Sequence, residues 1–304
     1  MTNEIKGILP VVHMPYNPDE SIDLPALQRE VDYLFETGAH GLCLALVSDL
    51  LRLTPEERIT LPAHLVEWAA DRGPVIINVG AESTLQASHY AHAAADAGAA
   101  ALMAIPPLTQ AMPESELRAY FEAILDAVDI PLMVQDASSY VGAPMSLEFQ
   151  ASLFGDHGDR ILFKPEATPL GPCLSGLRDL TAGKARIFEG SGGILLIDSF
   201  RRGIAGTIPG VELLHGIVPL WHALHAGDNA RAYALHAPIS AIAMLQLQGG
   251  LDGFIAIERH IMHRRGLFPT TTNRSPFSFT LDSETAVEVD RILDNLEALL
   301  TDAG

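Results

Sequence analysis

The stretch "ILFKPEATP" places Lys164 directly after three apolar residues, and the chain has only three lysines. An apolar strand that ends in a lysine suggests an amine held away from water. Desolvation favours the neutral amine, whose lone pair can attack a carbonyl carbon and form a Schiff base. The structural alternative is a lysine whose ammonium group reaches solvent past the end of the strand. We favour the reactive amine and take Lys164 as the first candidate catalytic residue.

Glu166 follows Lys164 by two residues, and side chains two apart lie on the same face of an extended strand. A carboxyl group beside a reactive amine can accept and return protons during Schiff-base chemistry. The competing interpretation is a carboxylate at the strand rim that pairs with an arginine. The spacing leaves both open.

The segment "EGSGGILLID" forms a glycine-rich turn ahead of a helical pattern, and it supplies Gly190, Ser191 and Gly192 as candidate substrate-binding residues. Backbone N–H groups at such a turn can bind an anion. The motif is weak, because "GSGG" does not complete the phosphate-binding pattern G-x-G-x-x-G.

Histidines occur three residues apart at His89/His92, His222/His225 and His260/His263. Such pairs could supply half of a metal site, but no third ligand stands at a suitable spacing. We therefore predict no metal and no cofactor. The arginine-rich segment at 259–266 is interpreted as an exposed helix end, with cations near the helix C-terminus.

These residues need a scaffold, and the chain alternates short apolar runs with amphipathic ones. The apolar runs lack polar alternation, which is typical of strands buried on both faces of a parallel sheet. Eight strands are predicted, at 7–14, 41–47, 74–80, 101–107, 130–136, 161–166, 185–190 and 205–210.

Helical patterns follow the strands and carry end signals. The first ends at Gly38, the second has Thr54, Pro55 and Glu57 in a capping box, and the third has Ser83 as a possible N-cap. Eight strand–helix units predict an α/β protein with a (β/α)8 TIM barrel, whose chemistry lies at the carboxyl ends of the strands. A doubly wound open sheet is the runner-up, but the first turn lacks its glycine-rich motif.

After Gly227 the pattern is helical only. We predict a barrel over 1–226 and a C-terminal helical extension over 227–304 that packs on the barrel.

Composition narrows the possible partners. The 304 residues are 48% hydrophobic, and the formal net charge is −19, which disfavours binding to nucleic acid. Two cysteines, Cys43 and Cys173, are too few for a disulfide framework, and Cys43 is expected in the core. With no signal peptide and no apolar run long enough to cross a membrane, we expect a cytoplasmic protein that contacts neither membranes nor nucleic acid.

The chain resembles the dihydrodipicolinate synthase / N-acetylneuraminate lyase superfamily over nearly its whole length. The specific segments are "LRLTPEER" and "ILFKPEATP", supported by "AHAAADAGAAALMAIPP", "FEGSGG" and "RRGIAGTIPG". The resemblance implies a class I lyase in which Lys164 forms a Schiff base with a small-molecule 2-oxo acid. It also implies a homo-oligomer, a tetramer or a dimer.

Departures from the family pattern point to one branch. The family's threonine pair after the second strand is Leu46 and Val47 here, its strand-five tyrosine is Gln135, and its next-loop arginine falls at Tyr140. "MVQDAS" with "FKPE" looks like the branch that acts on 2-keto-3-deoxy sugar acids, as dehydratase or aldolase.

Without the tyrosine, the acid/base candidates are Glu166, Asp136, Asp49 and His13, with Glu166 first. Gln135 can hydrogen-bond but cannot titrate. Ser48 and nearby backbone amides are the expected donors to the substrate carboxylate, and Asp49 and Asp136 complete the predicted binding set.

Three hypotheses stay open. The first is a Schiff-base lyase on a 2-oxo acid, which includes synthase-like or sialic-acid-lyase-like reactions of pyruvate adducts. The second is a metal-dependent barrel lyase, and the third is a relative that keeps the fold without catalysis.

Overall fold

The computed structural model describes residues 4–301. Within this part of the chain, eight parallel strands form one sheet in the order β1-β8-β7-β6-β5-β4-β3-β2. They are β1 (Gly7–Ile8), β2 (Leu42–Leu44), β3 (Val75–Asn78), β4 (Ala101–Ala104), β5 (Leu132–Asp136), β6 (Ile161–Pro165), β7 (Arg186–Glu189) and β8 (Gly206–Thr207). Each falls inside a predicted run, so the predicted barrel is confirmed.

The barrel closes between its first and second strands. Val11 bridges both Cys43 and Gly210, and the Val12 N–H donates to the Cys43 carbonyl at 3.0 Å. The regular ladders of β1 and β8 are shorter than predicted because Pro10 and Pro209 have no N–H to donate.

Helices surround the sheet and continue beyond it. They are α1 (Leu24–Thr37), α2 (Pro55–Ala69), α3 (Thr84–Asp96), α4 (Glu114–Ala127), α5 (Leu147–His157), α6 (Leu170–Leu180), α7 (Leu196–Arg201), α8 (Leu214–Ala226), α9 (Asn229–Leu247), α10 (Gly250–Arg264) and α11 (Ser283–Thr301). Short 3-10 helices occupy Leu46–Ser48, Leu50–Arg52 and Gly158–Arg160.

The predicted helix ends are present. Gly38 closes α1 in the left-handed conformation, and Ser83 caps α3. The Thr54 side chain accepts from the Glu57 N–H, while the Glu57 carboxylate accepts from the Thr54 N–H, which is the predicted capping box. Arg58, in the same motif, donates to the carbonyls of Asn78 and Gly80 and so ties α2 to the end of β3.

Two apolar cores follow from strand alternation. Leu162 points into the barrel with residues such as Met133 and Phe188, whereas Phe163 points outward to the helices. Cys43 lies in the inner core, as predicted.

The chain continues from α8 into α9 through Gly227, which adopts the left-handed conformation. The proposed division at 226/227 stays a prediction, and its outermost residues, 1–3 and 302–304, lie outside the described residues. Within the described residues, no helix combines the length and apolar character that crossing a bilayer requires.

Candidate active site

Strand alternation places Lys164 inside the barrel mouth. Its side chain shares the inward face with Leu162, one layer nearer the carboxyl ends of the strands. Parallel register sets Gln135 of β5 beside it. Lys164 is 4% exposed, so its amine lies in the barrel and does not extend past the rim into solvent.

Glu166 is also buried, and its Oε1 lies 3.2 Å from Lys164 Nζ. The predicted arrangement of both side chains on one face is therefore present, and Glu166 pairs with the lysine and not with an arginine. Burial raises the pKa of Glu166 above its ordinary value, although the nearby Lys164 ammonium group opposes the shift. A carboxyl group with a raised pKa accepts a proton more readily than an exposed one does.

A chain of amides fixes the orientation of Glu166. Gly80 donates its N–H to Asn78 Oδ1, which turns the Asn78 amide nitrogen toward Gln135 Oε1 at 3.3 Å. Gln135 Nε2 then donates to Glu166 Oε2 at 2.5 Å. Since each amide has one donor end and one acceptor end, this chain permits a single orientation of Gln135.

Gly190 allows the pair to form. A Cβ at this position would lie well inside 3.0 Å of both Lys164 Cε and Glu166 Oε1. Gly190 and Gly192 both line the site, and Gly192 has a positive φ of 66°. The glycines predicted for substrate binding therefore lie where backbone can approach a substrate.

Lys164 lines a cavity with about 490 Å³ of empty space, a volume that includes the open solvent at the mouth of the cavity. Leu46 and Val47 form part of the wall, and Leu251, Phe254 and Glu258 of α10 form another part. Leu251, Phe254 and Glu258 follow the three- and four-residue spacing of one helix face. The C-terminal helices thus contribute directly to the site.

Tyr140 also lines this cavity and meets Phe254 edge to face, with ring centroids 5.7 Å apart. Burial, together with the charge of Glu166, raises the pKa of the Tyr140 phenol. Tyr140 therefore stays a proton donor. The family resemblance places Tyr140 where relatives have an arginine, but the sequence indicates no role for it.

Ser48 and Asp49 are buried but already engaged. Ser48 Oγ donates to the Val12 carbonyl at 2.5 Å and accepts from the Ala45 N–H. Asp49 pairs with Arg52 at 3.0 Å and with Arg259 at 2.5 Å. Their predicted substrate contacts stay predictions, but the geometry gives both a structural role.

Asp136 and Ser191 are engaged in the same way. The Asp136 carboxylate accepts from the N–H groups of Ser138 and Met145, which holds the loop after β5. Ser191 donates both its N–H and its hydroxyl to Glu189. The helix that follows the glycine turn, α7, has only six residues and begins at Leu196, so its N-terminus offers little support for anion binding.

Arg259 corrects the interpretation of segment 259–266 as an exposed helix end. It is 1% exposed and donates to Asp49 and to the Met14 carbonyl. The reason is that α10 lies between the barrel mouth and neighbouring helices, so most of its residues are buried and its exposed residues lie near its two ends.

A second polar group adjoins the cavity, and we call it the histidine–glutamate cluster: His13, Glu30, Glu212 and Glu258. His13 Nδ1 lies 2.9 Å from Glu30 Oε1, while Nε2 lies 3.4 Å from Glu212 Oε2 and 3.5 Å from Glu258 Oε2. All four residues are buried, and Glu212 and Glu258 also line the cavity. The sequence indicates His13 as an acid/base candidate, but no sequence pattern points to the three glutamates.

Burial and charge act on this cluster together. Burial by itself lowers the pKa of His13, but the charges of Glu258 and Glu30 outweigh it and raise that pKa well above its ordinary value. Burial raises the pKa of Glu258 strongly and that of Glu30 as well. The cluster therefore holds protons tightly.

The three histidine pairs found in the sequence do not contribute to this cluster. His89, His92, His222 and His225 lie at or near the surface, while His260 meets Asp290 at 3.0 Å and His263 meets the Phe268 carbonyl. Among the described residues, the group of side chains that could hold a metal ion is His13, Glu212 and Glu258.

Comparison with known proteins agrees with this architecture. A model of the dihydrodipicolinate synthetase family matches residues 4–296. The chain is 30% identical over 303 residues to an L-2-keto-3-deoxyarabonate dehydratase from Azospirillum brasilense, covering 97% of this chain and 96% of that one. It is 24% identical over 304 residues to a 4-hydroxy-tetrahydrodipicolinate synthase from Rhizobium meliloti (strain 1021), covering 95% and 97%.

The solved structures share the fold. A putative dihydrodipicolinate synthetase from Pseudomonas aeruginosa superimposes with a TM-score of 0.89 at 24% identity, covering 96% of this chain and all of that one.

Proposed function

The chain belongs to the dihydrodipicolinate synthetase family and is a lyase of that superfamily, and on this premise we propose that it dehydrates a 2-keto-3-deoxy sugar acid through a Schiff base on Lys164. The observation that carries the proposal is the buried Lys164–Glu166 pair, 3.2 Å apart, at the mouth of a barrel. The name of the dehydratase relative supports this substrate class.

Lys164 is the proposed nucleophile. Its amine must be neutral to attack a carbonyl, and Glu166 is placed to take the proton. The raised pKa of Glu166 makes this transfer easier than it would be to an ordinary carboxylate. The amine then adds to C2 of the substrate. The carbonyl oxygen leaves as water with one proton from the amine and one from Glu166, so the C=N bond of the iminium forms and Glu166 becomes a carboxylate again.

Dehydration follows from the iminium. Glu166 removes a proton from C3, and the electron pair of the C–H bond forms the enamine. The enamine expels the C4 hydroxyl, which takes the proton from Glu166 and leaves as water. Hydrolysis of the unsaturated iminium consumes one water and frees Lys164, so the substrate loses one water overall.

Gln135 is proposed as a positioning residue. It has no proton to transfer, and its hydrogen bond to Glu166 Oε2 leaves Oε1 directed at Lys164. In this arrangement Glu166 takes over the proton transfer that the resemblance assigns to a tyrosine at position 135. Tyr140 is a second proton donor that lines the same cavity.

The substrate carboxylate needs donors that the apolar side chains of Leu46 and Val47 do not supply. Both residues lie in a 3-10 turn, and the first N–H groups of such a turn have no partner inside it. We assign the carboxylate to these amides and to the backbone at Gly190 and Gly192, which lines the cavity. Ser48 supports the turn through its bond to Val12.

Product analysis tests this function. The purified chain is incubated with 2-keto-3-deoxy pentonic and hexonic acids, and products are identified by mass spectrometry. The proposal predicts a product that has lost one water and that is not formed by a Lys164→Ala variant. Formation of pyruvate and an aldehyde would instead show aldol cleavage, and turnover by the Lys164→Ala variant would contradict the Schiff base.

A further inference from the structure

The histidine–glutamate cluster contains three converging atoms that the described residues do not satisfy. His13 Nε2, Glu212 Oε2 and Glu258 Oε2 are buried, and none forms a hydrogen bond within residues 4–301, although Nε2 lies within ion-pair distance of both oxygens. All three lie within 4.8 Å of one another. Buried polar atoms nearly always form hydrogen bonds, so three buried atoms that face one another without one indicate room for a shared partner.

The distances from His13 Nε2 to the two glutamate oxygens fit ligands around a cation better than they fit direct hydrogen bonds. His13 Nε2 lies 3.4 and 3.5 Å from the two carboxylate oxygens, longer than the roughly 2.7–2.9 Å of a charge-assisted hydrogen bond. Ligands bound tetrahedrally at about 2.0–2.1 Å lie roughly 3.3–3.4 Å from each other. The two distances from His13 match the spacing of donor atoms around an ion.

The groups behind these ligands also match a metal site. Glu30 Oε1 accepts from the His13 backbone N–H and lies 2.9 Å from Nδ1, which turns Nε2 toward the two carboxylates. Gln246 donates to the other oxygen of Glu212 at 2.9 Å. Histidine ligands in proteins commonly have a carboxylate on the second ring nitrogen in this way.

Gly210 keeps the point of convergence open. A Cβ at this position would meet the Glu212 carboxylate and would lie 3.0 Å from His13 Nε2. Only glycine, which has no side chain, leaves room for the cluster at position 210.

We propose that His13, Glu212 and Glu258 bind a first-row divalent cation, such as Mn²⁺ or Zn²⁺, at the edge of the Lys164 cavity. One imidazole and two carboxylates are a donor set that these ions accept. Because Glu212 and Glu258 also line the cavity, the remaining coordination positions face the space where substrate binds.

The cation would also balance the charge of the cavity. Among the described residues that line it, Glu166, Glu212 and Glu258 are acidic and Lys164 is the basic one. On the proposed function, which this step rests on, the substrate is an anion and would meet three acidic side chains, which become negatively charged when they lose their protons. A bound divalent ion offsets that charge and offers a ligand position to a carboxylate or hydroxyl oxygen of the 2-oxo acid.

Calorimetric titration tests the site directly. The full chain is treated with a chelator, exchanged into chelator-free buffer and titrated with Mn²⁺ and, separately, Zn²⁺. We expect one ion per chain, with Kd raised at least tenfold by Glu212→Gln and by Glu258→Gln. Glu30→Gln should raise Kd about 10–100-fold. Glu122→Gln, a carboxylate on the outer face of α4, is the matched control and should bind like the wild type.

Two further measurements use the wild-type chain, so they test the site even when a substituted variant fails to fold. The visible spectrum of Co²⁺ bound to the wild-type chain should report nitrogen and oxygen ligands, and it requires no substitution. Borohydride trapping of the chelator-treated chain reports on Lys164 separately, so a failed titration with intact trapping rejects the cation and leaves the proposed function standing. Absence of stoichiometric binding, or equal binding by the cluster variants and the wild type, would overturn the inference.

Discussion

At the scale of single residues, the proposed chemistry depends on the Lys164–Glu166 pair. A buried amine and a carboxyl group 3.2 Å apart can share one proton, and burial raises the pKa of the carboxyl toward the range where it holds that proton. On the proposed function, Glu166 takes the proton of the Lys164 ammonium group before the amine attacks a carbonyl.

Replacing Glu166 with Gln tests its role as the proton carrier. The variant keeps the shape of the side chain but cannot accept a proton, so we expect kcat to fall by about 10²–10⁴-fold with KM little changed. Steady-state kinetics on the dehydration substrate measure this. Glu148→Gln, an exposed carboxylate on α5, is the control. A Glu166→Gln enzyme within tenfold of wild-type kcat would remove Glu166 from the mechanism.

Replacing Gly190 with Ala tests the close approach of backbone to the pair. The new methyl group would collide with Lys164 Cε and the Glu166 carboxylate, so we expect kcat to fall by roughly tenfold or more while the fold persists. Gly155→Ala on α5 is the matched control, because no atom lies within 4 Å of a Cβ there. Circular dichroism checks the fold, and equal kinetics for the two variants would contradict the predicted collision.

Residue-level prediction from the sequence succeeded where local geometry decides. Strand alternation alone put Lys164 and Glu166 on one face. It did not reveal that the polar atoms of Ser48 and Asp136, whose predicted substrate contacts stay predictions, also bond to Val12 and to the loop after β5. Partners of that kind are set by tertiary contacts, which the sequence pattern does not contain.

At the scale of elements, α10 joins the C-terminal helices to the barrel site. Its inward face supplies Phe254 and Glu258 to the cavity, and Arg259 connects it to Asp49 near the end of β2. Asp49 lies in the left-handed conformation between two 3-10 turns, so this ion pair also anchors the turn that carries Leu46 and Val47.

Replacing Arg259 with Met should be strongly destabilising. It removes a buried cation and leaves Asp49 with Arg52 as its remaining partner, and losing one partner of a buried pair costs about 3–5 kcal/mol. Urea unfolding measures the loss. Arg291→Met removes an exposed pair with Glu288 and should change the free energy of unfolding by no more than about 1 kcal/mol. Equal stability of the two variants would contradict the anchoring role.

The strands and helices could be predicted from the sequence because local patterns mark them. Apolar runs indicate strands that are buried on both faces, and capping residues indicate helix ends. All eight strands and the caps at Thr54 and Ser83 follow from them. The strand ends did not follow, since Pro10 and Pro209 interrupt ladders that the apolar pattern continues through. The place of α10 over the barrel mouth was also beyond prediction, because its contacts join residues about 200 positions apart.

At the scale of the whole molecule, the chain carries a net charge of −19 and still buries several carboxyl groups. The histidine–glutamate cluster brings together side chains from α1, α10 and the loops after β1 and β8. Its members are separated by up to 245 residues, so no local pattern could reveal it. Assembly into a dimer or tetramer stays a prediction from the family resemblance, and a cytoplasmic location stays a prediction from the sequence features.

The cluster predicts how stability depends on pH. With chelator present, His13 and Glu258 keep protons in the folded state that the unfolded chain releases, because both have pKa values raised well above 6.5 and 4.5 respectively. Folded chains then bind more protons than unfolded ones above about pH 7.5, where unfolded histidines have lost their protons, so the free energy of unfolding falls as pH rises, by up to about 1.4 kcal/mol per pH unit for each extra proton.

Urea unfolding between about pH 7.5 and 8.5 measures this slope. The pKa values of His40, His215 and His236 are lowered by burial, and an unfolded histidine titrates near pH 6.5, so these three residues are almost entirely neutral in both states across this range. His13→Gln should flatten the slope. Stability that stays constant or rises with pH in the wild-type chain would show that the cluster does not hold its protons.

The central claim is that Lys164 forms a Schiff base, and borohydride trapping tests it most directly. The chain is mixed with pyruvate or a 2-keto-3-deoxy sugar acid, reduced and digested, and the peptide that contains Lys164 is examined by mass spectrometry, with Lys164→Ala and Lys184→Ala variants in parallel. The account predicts a reduced adduct on Lys164 in the wild type and in Lys184→Ala, and none in Lys164→Ala. Turnover of substrate without an adduct on Lys164 would contradict it.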